Sequence, residues 1–192
     1  KKTGVDELLF CTMLPMLNIL STYNLIAHAE RHCPMCLMNY PVTYSPLIWS
    51  VASVTACPIH GTKLVPTICG APMEKHLSQI TRKFLAGICS KCGSVGFRCR
   101  KDKILAATDV EIWKANQVAE LISSFPRAHI LFSKQNTIDG LIGLVGILSK
   151  GQAAIAARKI GMPKSVLWSW MHGANLPSLK TLLELCLAAE LS

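Results

Sequence analysis

Two short strings carry the residues best suited to chemistry: Cys33-Pro34-Met35-Cys36 and Cys57-Pro58-Ile59-His60, with twenty residues between the pairs. Zinc takes four tetrahedral Cys or His ligands. A turn with two residues between ligands puts both on one side of the ion, and a distant second pair closes the shell. Each pair has Pro directly after its first Cys, which helps to hold the tight turn. The spacing therefore predicts a structural zinc site with Cys33, Cys36, Cys57 and His60 as ligands. His32, next to Cys33, is the one competitor.

All four ligands come from protein, so the site has no open position, and no Glu stands where a zinc hydrolase or deaminase would need one. The chain also lacks a DDE carboxylate set, a phosphate-binding GxxxxGK[ST] loop and a Ser-His-Asp order. No catalytic residue is assigned. Nine cysteines could also mean disulfides, but close pairing with a His in register points to metal in a reducing cytoplasm.

The 192 residues are 51% hydrophobic and 16% charged, which excludes a disordered tail and fits a helical protein. A formal charge of +9 favours a polyanionic partner, with nucleic acid first. The apolar stretch 8–29 is broken by Pro15, Asn18, Ser21 and Asn24, and 141–148 is too short to span a bilayer, so no membrane helix is expected. The first residues, Lys-Lys-Thr-Gly, do not form a secretory signal, and the chain reads as a piece of a longer one.

Elements that must position these residues follow along the chain. Residues 5–30 read as a helical hairpin or kinked helix interrupted at Pro15. From 32 to about 99, Cys pairs, Gly and Pro mark a metal-supported region. Thr108 with Glu111 has the form of a capping box, and Ile112, Ala115, Ala119 and Ile122 continue a helix to Phe125-Pro126. Residues 127–137 read as a connector, followed by short helices separated by Gly or Pro.

Residues 152–170 have a helix-turn-helix pattern. Ala156 and Ala157 are small where helices meet, Gly161 suits the turn, Pro163 opens the second helix, and Leu167 and Trp170 face inward. Lys164, Ser165, Trp168 and Ser169 then project outward as DNA contacts, with Arg158 and Lys159 near the backbone. Arg98, Arg100 and Lys101 form the densest basic run, a second nucleic-acid candidate. Trp168 would also serve as a protein-facing anchor. Cys11 and Cys186 read as small core residues, and His28, His129 and His172 have no partner pattern.

The string Arg31-His-Cys-Pro-Met-Cys36, then Trp49, then Val54-Thr-Ala-Cys-Pro-Ile-His-Gly61 with Leu64, closely resembles the TniQ/TnsD family of DNA-transposition targeting proteins. That family shows CPxC, a Trp-containing segment and CPxHGxxL. The resemblance is specific over residues 31–64. It implies a second zinc finger: Cys89-Ser-Lys-Cys92-Gly93 matches the later family pair, whereas Cys69-Gly70 matches half of the earlier one, with Pro66 where a Cys is missing. Cys69, His76, Cys89 and Cys92 are the favoured set, and Cys99 is the alternative to His76.

The expected fold is thus mainly α with small zinc-finger, zinc-ribbon-like modules and a C-terminal helix-turn-helix. Its expected parts are a helical segment (1–31), a tandem zinc-finger region (32–104), a connecting helix (105–134) and a helix-turn-helix domain (135–192). The resemblance implies a non-catalytic adaptor linking target DNA, or a CRISPR effector complex with guide RNA, to an AAA+ ATPase regulator of the TnsC type. A homodimer is compatible with this. The alternative function is a zinc-containing helix-turn-helix transcription regulator.

Overall fold

Among the described residues, helix-forming segments dominate where apolar residues recur every three or four positions, and short extended pieces lie around the Cys pairs. The computed structural model describes residues 14–17, 19–39, 44–66, 104–128 and 133–190. Among these lie seven α-helices: α1 (Leu14–Leu17), α2 (Pro34–Asn39), α3 (Asp109–Ala128), α4 (Lys134–Ser149), α5 (Ala153–Lys159), α6 (Lys164–Met171) and α7 (Leu179–Ala188). A 3-10 turn covers Leu47–Ser50, and strands β1 (Arg31–His32) and β2 (Val65–Pro66) pair antiparallel, Arg31 with Pro66 and His32 with Val65. The chain divides into two units, residues 26–120 and residues 1–25 with 121–192.

Among the described residues of the unit 26–120, Trp49, Val51, Val54, Ala56 and Leu64 are buried, as are Cys33, Cys36 and Cys57. The buried apolar side chains described around the ligand pairs are few, a setting in which a structural metal commonly supplements the core. The Arg31 guanidinium ties the intervening turn to β1, donating through Nη2 to the carbonyls of Trp49 (2.9 Å) and Val51 (2.7 Å). Bridges at Ile26–Val51, Ala56–Lys63 and Thr62–Ala106 complete the frame.

The capping box forms as expected. Thr108 Oγ1 accepts from the Glu111 amide (3.3 Å), and Glu111 Oε2 accepts from the Thr108 amide (2.9 Å). Glu111 Oε1 also accepts from the Thr55 hydroxyl (3.2 Å) and pairs with Lys63 Nζ at 3.4 Å, so the start of α3 is fixed to the hairpin that carries Cys57. The Thr108 amide hydrogen bond, followed by those from Thr108, Thr55 and Lys63 side chains, holds the Glu111 carboxyl below its ordinary range. A carboxyl depressed in the folded state stabilises at pH values above its unfolded range, and that contribution is lost as pH falls through the folded range. Glu111→Ala should therefore cost about 1 kcal/mol near neutrality, the usual worth of a cap. The gap between variant and parent should close on acidification, as measured by denaturant melts across pH.

In the other unit, Leu141, Leu144, Val145 and Leu148 of α4 pack with Ala156 and Ala157 of α5, Leu167 and Trp170 of α6, and Leu185 of α7. Ser133 caps α4 by accepting from the Asn136 amide, and Ser178 caps α7 by accepting from the Thr181 amide. Between α5 and α6 the chain turns at Gly161, whose φ of +70° lies in the left-handed region open to a residue without Cβ. Pro163 then occupies the N-cap of α6.

Several expectations for the elements are corrected. Of the stretch 5–30, only Leu14–Leu17 is helical among the described residues. The segment 19–30 runs as turns and bends, with Asn24 at φ +51°, because Ser21, Thr22 and Asn24 favour turns over helix continuation. Helix α3 continues through Pro126 to Ala128, since a proline in the final turn removes only one late hydrogen bond. The connector expected over 127–137 is shorter, because the Ser133 cap starts α4 at Lys134. Nor do glycines fragment the next helix. Gly140, Gly143 and Gly146 lie exposed in one sixteen-residue α4, whose buried Leu and Val face outweighs their entropic cost.

Candidate metal centre

The two ligand pairs sit on two tight turns of the unit 26–120. The first runs from β1 into α2. The Leu37 amide donates to the Cys33 carbonyl (3.2 Å) and the Cys36 amide lies 3.5 Å from Cys33 Sγ, so the helical turn itself aims both sulfurs to one side. The second lies inside the hairpin closed by Ala56 and Lys63. The Cys57 amide donates to the Thr62 carbonyl (2.8 Å), and the Gly61 amide donates to the Cys57 carbonyl (2.9 Å). Gly61 stands at φ +61°, the left-handed conformation that lets the turn reverse directly after His60.

These turns bring Cys33, Cys36, Cys57 and His60 together, with their ligand atoms all within 4.8 Å of one another. The cysteines are buried and His60 is half-buried. Cys36 Sγ lies 3.6 Å from Cys57 Sγ. His60 Nδ1 lies 3.6 Å from Cys33 Sγ, 3.2 Å from Cys36 Sγ and 3.7 Å from Cys57 Sγ.

These distances can be tested against a metal. Donors about 2.3 Å (sulfur) and about 2.1 Å (nitrogen) from one zinc, in a tetrahedron, stand roughly 3.8 Å apart for two sulfurs and roughly 3.6 Å for sulfur and nitrogen. Most of the observed edges fall close to these values, so the four residues fit a zinc ion, with His60 using Nδ1. His32 lies outside this ligand group: it is buried on β1 opposite Val65.

Electrostatics favours a cation. The Cys57 thiol, as the largest influence, together with the Thr62 hydroxyl and the Cys36 amide, outweighs burial and pulls the Cys33 thiol down to about 4. Cys57 is pushed up, chiefly by hydrogen bonding to Cys33 and then by burial. A thiolate is thus already stabilised in the cluster, and a divalent cation replaces the remaining thiol protons. Thr62 Oγ1 lies 3.3 Å from Cys33 Sγ and orients that ligand by donating to it. Thr62 and Arg31 have structural roles that the ligand spacing did not single out. Thr62 directly follows Gly61 and Arg31 lies two residues before Cys33, and that closeness to the ligand turns is the signal that would have found them.

The other sequence-assigned residues divide. Cys69, His76, Cys89, Cys92 and Cys99, with Arg98, Arg100 and Lys101, lie outside the described residues. Lys164, Ser165 and Trp168 are exposed on α6, whereas Ser169 is half-buried and accepts from Asn175 Nδ2 at 3.0 Å. Arg158 is exposed at the end of α5. Its neighbour Lys159 instead donates to the Leu148 carbonyl at 2.7 Å, capping the end of α4. Cys186 is half-buried beside the α4–α7 core.

The fold and site define a mainly helical protein carrying a Cys3His cluster able to hold one metal ion. Residues 15–64, the stretch that includes both ligand pairs, match the TniQ family model. A comparison with curated proteins finds no match.

Proposed function

We propose that this protein is a non-catalytic target-selection adaptor in DNA transposition, acting in the bacterial cytoplasm. In this reading the TniQ segment is a zinc-folded recognition module. The helices α4 to α7 form a DNA-binding helix-turn-helix domain, with α6 as recognition helix, and the adaptor connects target DNA or a CRISPR effector complex to an AAA+ ATPase regulator. The observation that carries the reading is the four-ligand cluster inside the family-matched residues 15–64. A shell closed by protein supplies folding energy and a rigid surface, with no position left for a reacting water. When bound, zinc would act here as a structural cross-link held by Cys33, Cys36, Cys57 and His60.

For DNA contact, support comes from charge. Between Asp139 and Glu184 the chain contains no acidic residue but carries Lys150, Arg158, Lys159, Lys164 and Lys180. Helices α5 and α6 both fall in this acid-free span, and Lys164 is exposed at the start of α6. Lys164→Ala should weaken binding to duplex DNA and reduce the slope of log affinity against log salt by about one. Titrations at several salt concentrations test it, and an unaltered slope would move Lys164 off the DNA.

Pull-down with the AAA+ ATPase from the same mobile element tests the adaptor function as a whole. Retention of the ATPase that is lost with Cys57→Ser, but kept with Lys164→Ala, is the expected pattern. Duplex binding with no ATPase or CRISPR-complex retention would favour the transcription-regulator alternative.

A further inference from the structure

On α6 the side chains of Leu167 and Trp170 are buried in the core, whereas Lys164 and Trp168 are exposed, Trp168 by 52%. One turn beyond Trp168 stands His172, the C-cap of the helix, also exposed. Lys164, Trp168 and His172 therefore recur every four residues along one solvent face. The Trp168 and His172 rings are stacked, with centroids 3.9 Å apart and planes inclined by 23°. His172 Nδ1 lies 2.8 Å from the Trp168 carbonyl. A carbonyl oxygen only accepts, so Nδ1 carries the hydrogen and donates to it.

An exposed tryptophan on a short helix would normally sample several rotamers. Here the imidazole covers one face of the indole and is itself pinned to the backbone, so the two rings form a single slab of fixed orientation. Its free edges offer apolar carbon, the indole N–H as donor and the polar Nε2 edge of the imidazole. The surroundings are cationic and free of acidic residues from 140 to 183. That combination suits the floor of the DNA major groove, where base pairs present donors, acceptors and the thymine methyl group, and where the flanking phosphates require positive charge.

We propose that the stacked Trp168–His172 pair is a base-reading surface for thymine-containing sites in duplex DNA, with His172 as the positioning residue that holds Trp168 in its reading orientation. This rests on the reading of α6 as a recognition helix. In that division of labour Lys164 supplies affinity through phosphate, and the ring pair supplies discrimination between bases.

The experiment uses duplexes selected by the parent chain from a random-sequence pool, each compared with a copy in which deoxyuridine replaces thymidine. The parent should bind the methyl-free copy less tightly. His172→Ala should lower affinity for the selected duplex about 3- to 10-fold, in keeping with the worth of one aromatic pair, and should erase the methyl dependence. The salt slope and the melting temperature should not move. Trp168→Ala should behave in the same way, whereas His172→Phe, which keeps a stacking ring, should retain most of the discrimination. If His172→Ala binds and discriminates like the parent while Lys164→Ala loses affinity and slope, the inference falls and the recognition helix stands. If the parent selects no duplex at all, both fall together.

Discussion

Cys33→Ser will lose one equivalent of zinc and unfold residues 26–66 together with the hairpin contacts of α3. The side chain is fully buried, and its sulfur is tied to His60, Thr62 and the Cys36 amide. A structural zinc contributes on the order of 10 kcal/mol to small metal-supported folds, whereas whole domains are stable by roughly 5–15 kcal/mol. Among the described residues of this unit, the buried side chains around the ligands are mainly single Val, Ala, Leu and Trp residues on short turns, which offset little of that loss. Metal analysis with hydrogen exchange checks the outcome: protection should vanish around Cys57 and Leu64 and persist in α4 to α7. Unchanged zinc content with full protection would reject Cys33 as a ligand.

The second large effect lies in the other unit. Leu167 is completely buried on α6, within the cluster formed by Leu141, Leu144, Val145, Leu148, Ala156 and Ala157. Leu167→Ala removes its apolar surface and leaves a cavity, which costs about 2–5 kcal/mol. That is enough to melt a small helical unit at growth temperature, so binding to DNA should fail while zinc content stays at the parent level. Trp168→Ala, one position along but exposed, should change stability by no more than about 0.5 kcal/mol. Denaturant titration of the two variants side by side separates core from surface.

Much of this arrangement was legible in the sequence, and for identifiable reasons. Ligand chemistry is the strongest case. Cys33, Cys36, Cys57 and His60 were readable because metal geometry restricts both residue type and spacing, and the structure brings these four together. Thr108 and Glu111 were readable because a capping box is local, three residues long and chemically reciprocal. The inward positions Ala156, Ala157, Leu167 and Trp170 followed from helical period.

What escaped depends on competition between local and distant terms. The apolar residues of 14–25 mimic a helical period, but Ser21, Thr22 and Asn24 turn the chain, and the Ser21 amide reaches the Pro177 carbonyl at 2.9 Å, a contact no local pattern announces. Gly140, Gly143 and Gly146 suggested breaks, yet the burial of Leu141, Leu144, Val145 and Leu148 carries α4 through them. Lys159 also has a structural partner that no local pattern announces, the Leu148 carbonyl at the end of α4. His172 showed no partner because its partner is a ring and a carbonyl one turn back, not a second charged group.

A zinc ion closed off by protein within the TniQ-matched segment is open to direct measurement by zinc K-edge X-ray absorption on the purified chain. The expected first shell holds three sulfurs at about 2.3 Å and one nitrogen at about 2.1 Å, with one equivalent of zinc lost on His60→Ala. A shell containing a water oxygen, or zinc content that His60→Ala and Cys57→Ser both leave unchanged, would contradict it.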